Sequence, residues 1–151
     1  MPATISSNLA EITASYKSKV KYCDMKMVTS SNDAEAIFRE IWSEGLELRE
    51  EFYILLLNRA NKVLGYYRVS EGGTTATIVD PKLVFPIALK CNANGIILAH
   101  NHPSGNVKPS NEDRSLTKKL VEGGKLLDIT VLDHLILSAE SYLSFADEGW
   151  I

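Results

Sequence analysis

The sequence predicts an α/β domain in which a mixed sheet carries helices on its faces. Two continuous apolar runs, at residues 52–57 and 95–99, are typical of strands that are buried on both sides. Before, between and after these runs, apolar residues recur three and four positions apart, which indicates amphipathic helices. The chain has 151 residues, of which 45% are hydrophobic and 23% are charged. This size and composition suit one globular domain.

Residues 1–29 are predicted to form an N-terminal extension, and residues 30–151 the folded domain. Within the extension, apolar residues alternate weakly over residues 12–22, which predicts an edge strand. Residues 30–33 (Ser-Ser-Asn-Asp) offer several N-cap side chains, and apolar residues then recur at helical spacing. These apolar residues are Ala34, Ile37, Phe38, Ile41 and Trp42.

A hairpin is predicted to follow the first apolar run. Residues 58–62 are typical of a connection from the strand at 52–57 to a partner strand at 63–69. The sequence Glu-Gly-Gly at 71–73 indicates a turn, and the β-branched stretch at 74–78 predicts a further short strand.

The rest of the chain is predicted to alternate between helix and strand. Asp80 and Pro81 have the N-cap and first-position residue types of a helix, in which Pro86 predicts a kink or broken first turns. Gly123 and Gly124 should end or bend a later helix. In order after Pro86, the predicted elements are a strand at 95–99, a helix at 110–122, and strands at 129–138 and 142–145.

Two histidines and an aspartate have the spacing of a metal site. If the preceding strand continues, His100 and His102 project from one face, and Asn101 points away. Ser110 has the character of a helix N-cap, and Asp113 would lie in the same first turn. Two imidazoles and one carboxylate can bind Zn²⁺ and leave a fourth position for water, as in catalytic zinc sites. His100, His102 and Asp113 are therefore the predicted zinc ligands.

The spacing His-x-His, seven residues, Ser, two residues, Asp resembles the motif of the JAMM (MPN-type) metalloprotease superfamily. The stretch His-Asn-His-Pro-Ser-Gly, followed by Pro-Ser-x-x-Asp and later by Leu132-Asp133-His134, is similar to its bacterial RadC branch. This resemblance implies a three-layer α/β/α domain related to the cytidine-deaminase fold. It also implies a zinc-dependent hydrolase of peptide or isopeptide bonds, with a peptide or protein as its substrate.

The resemblance also implies catalytic roles. In JAMM proteins the general base is a glutamate at the entry to an early strand, and Glu50 occupies the matching place. Its neighbour Glu51 would face the opposite way near the start of a strand, and a boundary shift of one residue would exchange the two. Ser110 matches the residue that donates a hydrogen bond to the developing oxyanion.

A second hypothesis is a non-catalytic docking module in DNA repair or mobile-element biology, which the RadC resemblance suggests. The net charge of -3 argues against direct nucleic-acid binding, because a general DNA-binding surface needs clustered Lys and Arg. The complete set of ligands, together with Glu50 and Ser110, favours the enzyme. Asp133 and His134 lie in an apolar strand and are predicted to form a buried hydrogen-bonded pair, with a role behind the metal ligands left open.

The sequence indicates a cytoplasmic protein without a membrane partner. No stretch has the length of a membrane span, and the N-terminus lacks the basic and apolar regions of a secretory signal. Cys23 and Cys91 are far apart and form no Cys-x-x-Cys pair, so we expect free thiols in a reducing compartment.

Overall fold

The computed structural model describes residues 8–42, 45–72 and 79–151. A short 3-10 helix at Tyr22–Asp24 precedes the main elements. In chain order these are α1 (Ser31–Ile41), β1 (Glu51–Leu57), β2 (Val63–Glu71), α2 (Pro81–Lys90), β3 (Gly95–Asn101), α3 (Asn111–Leu126), β4 (Thr130–Leu137) and β5 (Tyr142–Ser144). In the described ranges, no helix combines the length and apolarity that a bilayer crossing requires.

The strands form one mixed sheet in the order β2-β1-β3-β4-β5. β1 pairs antiparallel with both β2 and β3, whereas β3 pairs parallel with β4, and β4 antiparallel with β5. In this register Phe52 of β1 lies opposite His100 of β3. Every residue of β1 and β3 is buried, as expected for central strands that are covered on both faces. The predicted mixed sheet is thus confirmed.

Helices cover both faces of the sheet, because alternate residues of β1 and β3 point to opposite sides. On one face, Tyr53, Leu55, Leu57, Ile97 and Ala99 pack with Ala34, Ile37 and Phe38 of α1. On the other face, Phe52, Ile54, Leu56, Ile96 and Leu98 pack with Val84, Phe85 and Ala88 of α2 and with Leu120 of α3. The architecture is the predicted three-layer α/β/α arrangement.

The helix starts also follow the sequence. The Ser30 side chain accepts a hydrogen bond from the Asp33 N–H at the start of α1, and the Asp80 side chain accepts one from the Lys82 N–H at the start of α2. Pro86 lies inside α2, which continues past it to Lys90, so the expected broken first turns are not observed.

The edge strand predicted at residues 12–22 is wrong. Residues 11–20 are exposed and form no strand, and the 3-10 helix begins directly afterwards. The Tyr16 hydroxyl anchors this segment by donating a hydrogen bond to the Leu64 carbonyl over 2.8 Å. Weak alternation does not specify a strand where neither face becomes buried. The further strand predicted at 74–78 lies outside the described residues.

α3 runs through Gly123 and Gly124, where the sequence predicted its end. A Cβ atom on Gly124 would lie 2.3 Å from the carbonyl oxygen of Ile129, so glycine is needed for the close approach of the chain that enters β4. The left-handed residue after the helix is Asp128, with a φ of 55°. Gly124 therefore serves packing rather than helix termination.

Candidate metal centre

His100 and His102 lie at the end of β3, where the strand leaves the core. His100 is 3% exposed, and its ring stacks on Phe52 with centroids 5.9 Å apart and 4° between the planes. His102 follows the last strand residue, and its N–H donates to the Leu137 carbonyl of β4 over 2.9 Å. The Nε2 atoms of the two histidines are 3.0 Å apart.

The first turn of α3 brings Asp113 to the same point. The Ser110 hydroxyl accepts a hydrogen bond from the Asp113 N–H over 3.0 Å, and the Asp113 carboxylate accepts one from the Ser110 N–H over 2.9 Å. This reciprocal capping box fixes the carboxylate at the helix start. Its two oxygens lie 3.2 Å from His100 Nε2 and 3.3 Å from His102 Nε2. The predicted N-cap role of Ser110 is confirmed.

The three side chains fit a tetrahedral metal ion. Among the described residues, the ligand atoms of His100, His102 and Asp113 all lie within 4.8 Å of one another. Metal–ligand bonds of about 2.0–2.1 Å at tetrahedral angles place neighbouring ligand atoms about 3.3 Å apart. The separations of 3.0, 3.2 and 3.3 Å between these nitrogens and oxygens agree with that distance. The group could therefore hold a metal ion.

The loop after β3 determines which ring nitrogen of His102 carries the hydrogen. Its Nδ1 lies 2.7 Å from the backbone carbonyl oxygen of Asn106, and a carbonyl can only accept a hydrogen bond. Nδ1 must therefore carry the ring hydrogen, which leaves the lone pair of a neutral ring on Nε2. That lone pair faces Asp113 and His100, as metal binding requires.

A buried chain of hydrogen bonds likewise determines which ring nitrogen of His100 carries the hydrogen. The Thr117 hydroxyl donates to the Asp113 backbone carbonyl over 2.7 Å, so its oxygen accepts from His134 Nδ1, which is 2.6 Å away. Burial holds the pKa of His134 well below its usual range, and nearby His100 acts in the same direction, so the ring carries one hydrogen. His134 Nε2 then accepts from His100 Nδ1 over 2.8 Å, which leaves the lone pair of His100 on Nε2.

The charges of the site suit a shared cation. Burial works to raise the pKa of the Asp113 carboxyl. Contacts with His100 and His102 outweigh it and hold that pKa well below its usual range, because a ring that takes up a second hydrogen on Nε2 donates it to the carboxylate. The hydrogen bond to Asp113 raises the pKa of His102. A proton on His102 Nε2 competes with a metal ion for the same lone pair, and the raised pKa keeps that proton bound up to a higher pH. Metal affinity should therefore fall as the solution becomes more acidic.

The structure separates Glu50 from Glu51. The ladder between β1 and β3 ends at the pair Phe52 and His100, and strand alternation continued from it for two residues would put Glu50 and His102 on one face. The charge of Glu50 is one of the causes that raise the pKa of His102, after the Asp113 contacts and a backbone hydrogen bond. Glu51 lies on the other face, is 1% exposed, and has a carboxylate oxygen 3.4 Å from Arg68 Nη1.

Asp133 and His134 form the predicted buried hydrogen-bonded pair, in which the His134 backbone N–H donates to the Asp133 carboxylate over 2.7 Å. The Asp133 carboxylate accepts from the Ser144 hydroxyl and from the N–H groups of His134 and Ala146, whereas the His134 ring faces His100. Sequence reasoning missed Thr117, although it lies one helical turn after Asp113 and so on the same side of α3. No sequence signal marked the Asn106 carbonyl.

Comparison with known proteins gives a consistent result. The family model described as "RadC-like JAB domain" matches residues 28–150. A UPF0758 protein of Flavobacterium johnsoniae is 47% identical over 125 residues, which are 83% of this chain and 54% of the relative. A UPF0758 protein of Methanosarcina mazei is 47% identical over 103 residues, which are 68% of this chain and 45% of the relative. The chain thus spans about half the length of the relatives that it matches.

Proposed function

Because the chain belongs to the RadC-like JAB domain family, we propose that it is a zinc-dependent hydrolase of peptide or isopeptide bonds. The observation that carries the proposal is the convergence of His100 Nε2, His102 Nε2 and the Asp113 carboxylate at tetrahedral spacing. Two nitrogens and one carboxylate are the donor set of catalytic zinc sites, in which a fourth position stays open. In this proposal the substrate is a peptide or protein.

The residues around the site have the chemistry that amide hydrolysis needs. When bound, Zn²⁺ supplies a Lewis acid and lowers the pKa of water to about 7. The Glu50 carboxylate takes a proton from the attacking water and delivers it to the leaving amine nitrogen. The Ser110 hydroxyl oxygen accepts from the Asp113 N–H, so its own hydrogen can be donated to the carbonyl oxygen of the substrate. The positive end of α3 favours negative charge at the same place.

The proposal is tested by metal-dependent cleavage. Purified protein is freed of metal with a chelator, given Zn²⁺, and incubated with a panel of peptide and isopeptide substrates. We expect cleavage that disappears with the chelator and returns with Zn²⁺. Salt-dependent DNA binding by a protein that cleaves none of the substrates would instead favour the non-catalytic docking module.

Ser110→Ala separates the oxyanion role from helix capping. We expect kcat to fall by about 10²–10³, since one hydrogen-bond donor to the transition state is lost. The free energy of unfolding should fall by about 1 kcal/mol, as for loss of an N-cap. Ser30→Ala is the matched control, because it removes the cap of α1 away from the site. If both variants lost activity only in proportion to the unfolded fraction, Ser110 would be a cap alone.

Thr117→Val tests the hydrogen-bond chain behind His100. Without the hydroxyl, His134 loses the acceptor for its Nδ1 hydrogen and can place its hydrogen on Nε2 instead. His100 would then be driven to carry its hydrogen on Nε2, the atom that must bind the metal. Zinc affinity should fall by about 10–100-fold, measured by competition with a chromogenic chelator. Thr117→Ser retains the hydroxyl and should retain the affinity, and an unchanged affinity in Thr117→Val would contradict the chain.

A further inference from the structure

Asn101 separates the two candidate metal-binding histidines, but its side chain serves a different segment. It is 0% exposed and lies on the sheet face opposite to His100. Its Nδ2 group donates to the carbonyl oxygens of Leu46 and Arg49, over 2.7 and 2.8 Å. Its Oδ1 atom accepts from the Glu51 N–H over 2.7 Å. Both donors and the acceptor of the amide are therefore used on the chain that leads into β1.

These bonds lie on both sides of Glu50. The carbonyl before it, on Arg49, and the N–H after it, on Glu51, are both bound by Asn101. The carbonyl of Glu50 itself accepts from the Gly72 N–H over 2.9 Å. The backbone of Glu50 is thus fixed by its neighbours, while the Glu50 carboxylate lies near enough to His102 for its charge to raise the pKa of that ring. A shift of the segment would move the carboxylate directly.

We propose that Asn101 is a positioning residue that sets Glu50 against the site through the backbone, which rests on the proposed role of Glu50 as general base. The Asn101 side chain lies on the far face of the sheet, so it touches neither a bound metal nor the reacting atoms. One residue of β3 thereby couples two functions. Its neighbours in sequence supply the metal-binding nitrogens, and its own side chain sets the base on the adjacent strand.

An asparagine side chain can both donate two hydrogen bonds and accept one, as this position requires. An aspartate could accept from the Glu51 N–H but would place a carboxylate beside the carbonyl oxygens of Leu46 and Arg49. A leucine has the same branching at Cγ and the same number of side-chain heavy atoms, and it removes all three hydrogen bonds without adding charge. Asn101→Leu is therefore the sharpest variant, and Asn101→Ala is the second variant if the first does not fold.

The experiment compares the zinc-loaded wild-type and Asn101→Leu proteins in three measurements. Zinc affinity should stay near that of the wild type, because His100, His102 and Asp113 are intact. Hydrogen exchange at the Glu51 amide should accelerate by about tenfold, since its acceptor is lost. The kcat for amide hydrolysis should fall by about 10²-fold with little change in KM, as expected for a misplaced base.

Two controls separate positioning from general destabilisation. Leu57→Ala weakens the core at the other end of β1, where Leu57 pairs with Gly95, and its kcat should stay near that of the wild type. In a Glu50→Gln background, Asn101→Leu should cause no further loss of kcat, because the group that it positions is already gone. An equal loss with and without Glu50 would overturn the proposal.

The failure of this proposal can be told apart from failure of the proposed function. If the wild-type protein hydrolyses no substrate, the proposed function fails. The hydrogen-exchange measurement then still tests whether Asn101 holds the backbone next to Glu50. Unchanged exchange at the Glu51 amide in Asn101→Leu would overturn the positioning role whether or not the protein is an active hydrolase.

Discussion

Glu50→Gln should lose about 10²–10⁴-fold in kcat/KM while it binds zinc as tightly as the wild type. The amide of glutamine has nearly the same shape as the carboxylate but cannot accept a proton from the attacking water. The fold should persist, since Glu50 lies before β1 and is only partly buried. Cleavage rates and zinc content measured on the same preparation test this expectation.

Glu51→Gln is the matched control for this prediction. Glu51 is the next residue in the chain, but its carboxylate lies beside Arg68 on the other face of the sheet. Its replacement should lower stability and leave the rate constant near the wild-type value. The reverse pattern would transfer the role of base to Glu51, and equal activity in both variants would remove the proposed proton transfer.

Asp113→Ala should release the metal while the domain stays folded. The variant loses one of three protein ligands. Loss of a residue that only hydrogen-bonds to a ligand typically lowers metal affinity by roughly 10–100-fold, so zinc affinity should fall by more than that here. It also loses half of the capping box at the start of α3, which should cost about 1 kcal/mol in the free energy of unfolding. Metal analysis after dialysis and thermal unfolding measure the two effects.

Glu112→Ala provides the comparison for the loss of an acidic group at the same helix start. Glu112 is exposed and adjacent to Asp113, so its removal changes the net charge equally without removing a candidate ligand. This variant should retain zinc. Full zinc occupancy in a folded Asp113→Ala protein would exclude Asp113 as a ligand.

The fold was largely predictable because the central strands are unambiguous. The continuous apolarity of β1 and β3 requires burial on both faces, and the helical spacing of apolar residues elsewhere in the chain supplies the layers that cover them. The N-terminal segment was mispredicted because its alternating residues never enter the core. The end of α3 was mispredicted because a glycine that allows a close contact looks the same in sequence as one that ends a helix.

The candidate ligands were predictable because their geometry is local. His100 and His102 share a strand end, and Ser110 and Asp113 share one helical turn, so spacing alone brings each pair together. The supporting residues depend on the tertiary fold instead. His134 contacts His100 only because β4 lies beside β3, and Asn101 contacts residues 46–51 only because β1 lies on the other side. Neither neighbour can be read from periodicity.

The most direct test of the central claim is anomalous diffraction from crystals grown with Zn²⁺, recorded on both sides of the zinc absorption edge. We expect one peak per chain, about 2.0–2.1 Å from the Nε2 atoms of His100 and His102 and bound by an Asp113 oxygen. The Nδ1 atoms should still donate to His134 and to the Asn106 carbonyl. Crystals in which zinc binds elsewhere, with no peak between these three side chains, would exclude them as the zinc ligands.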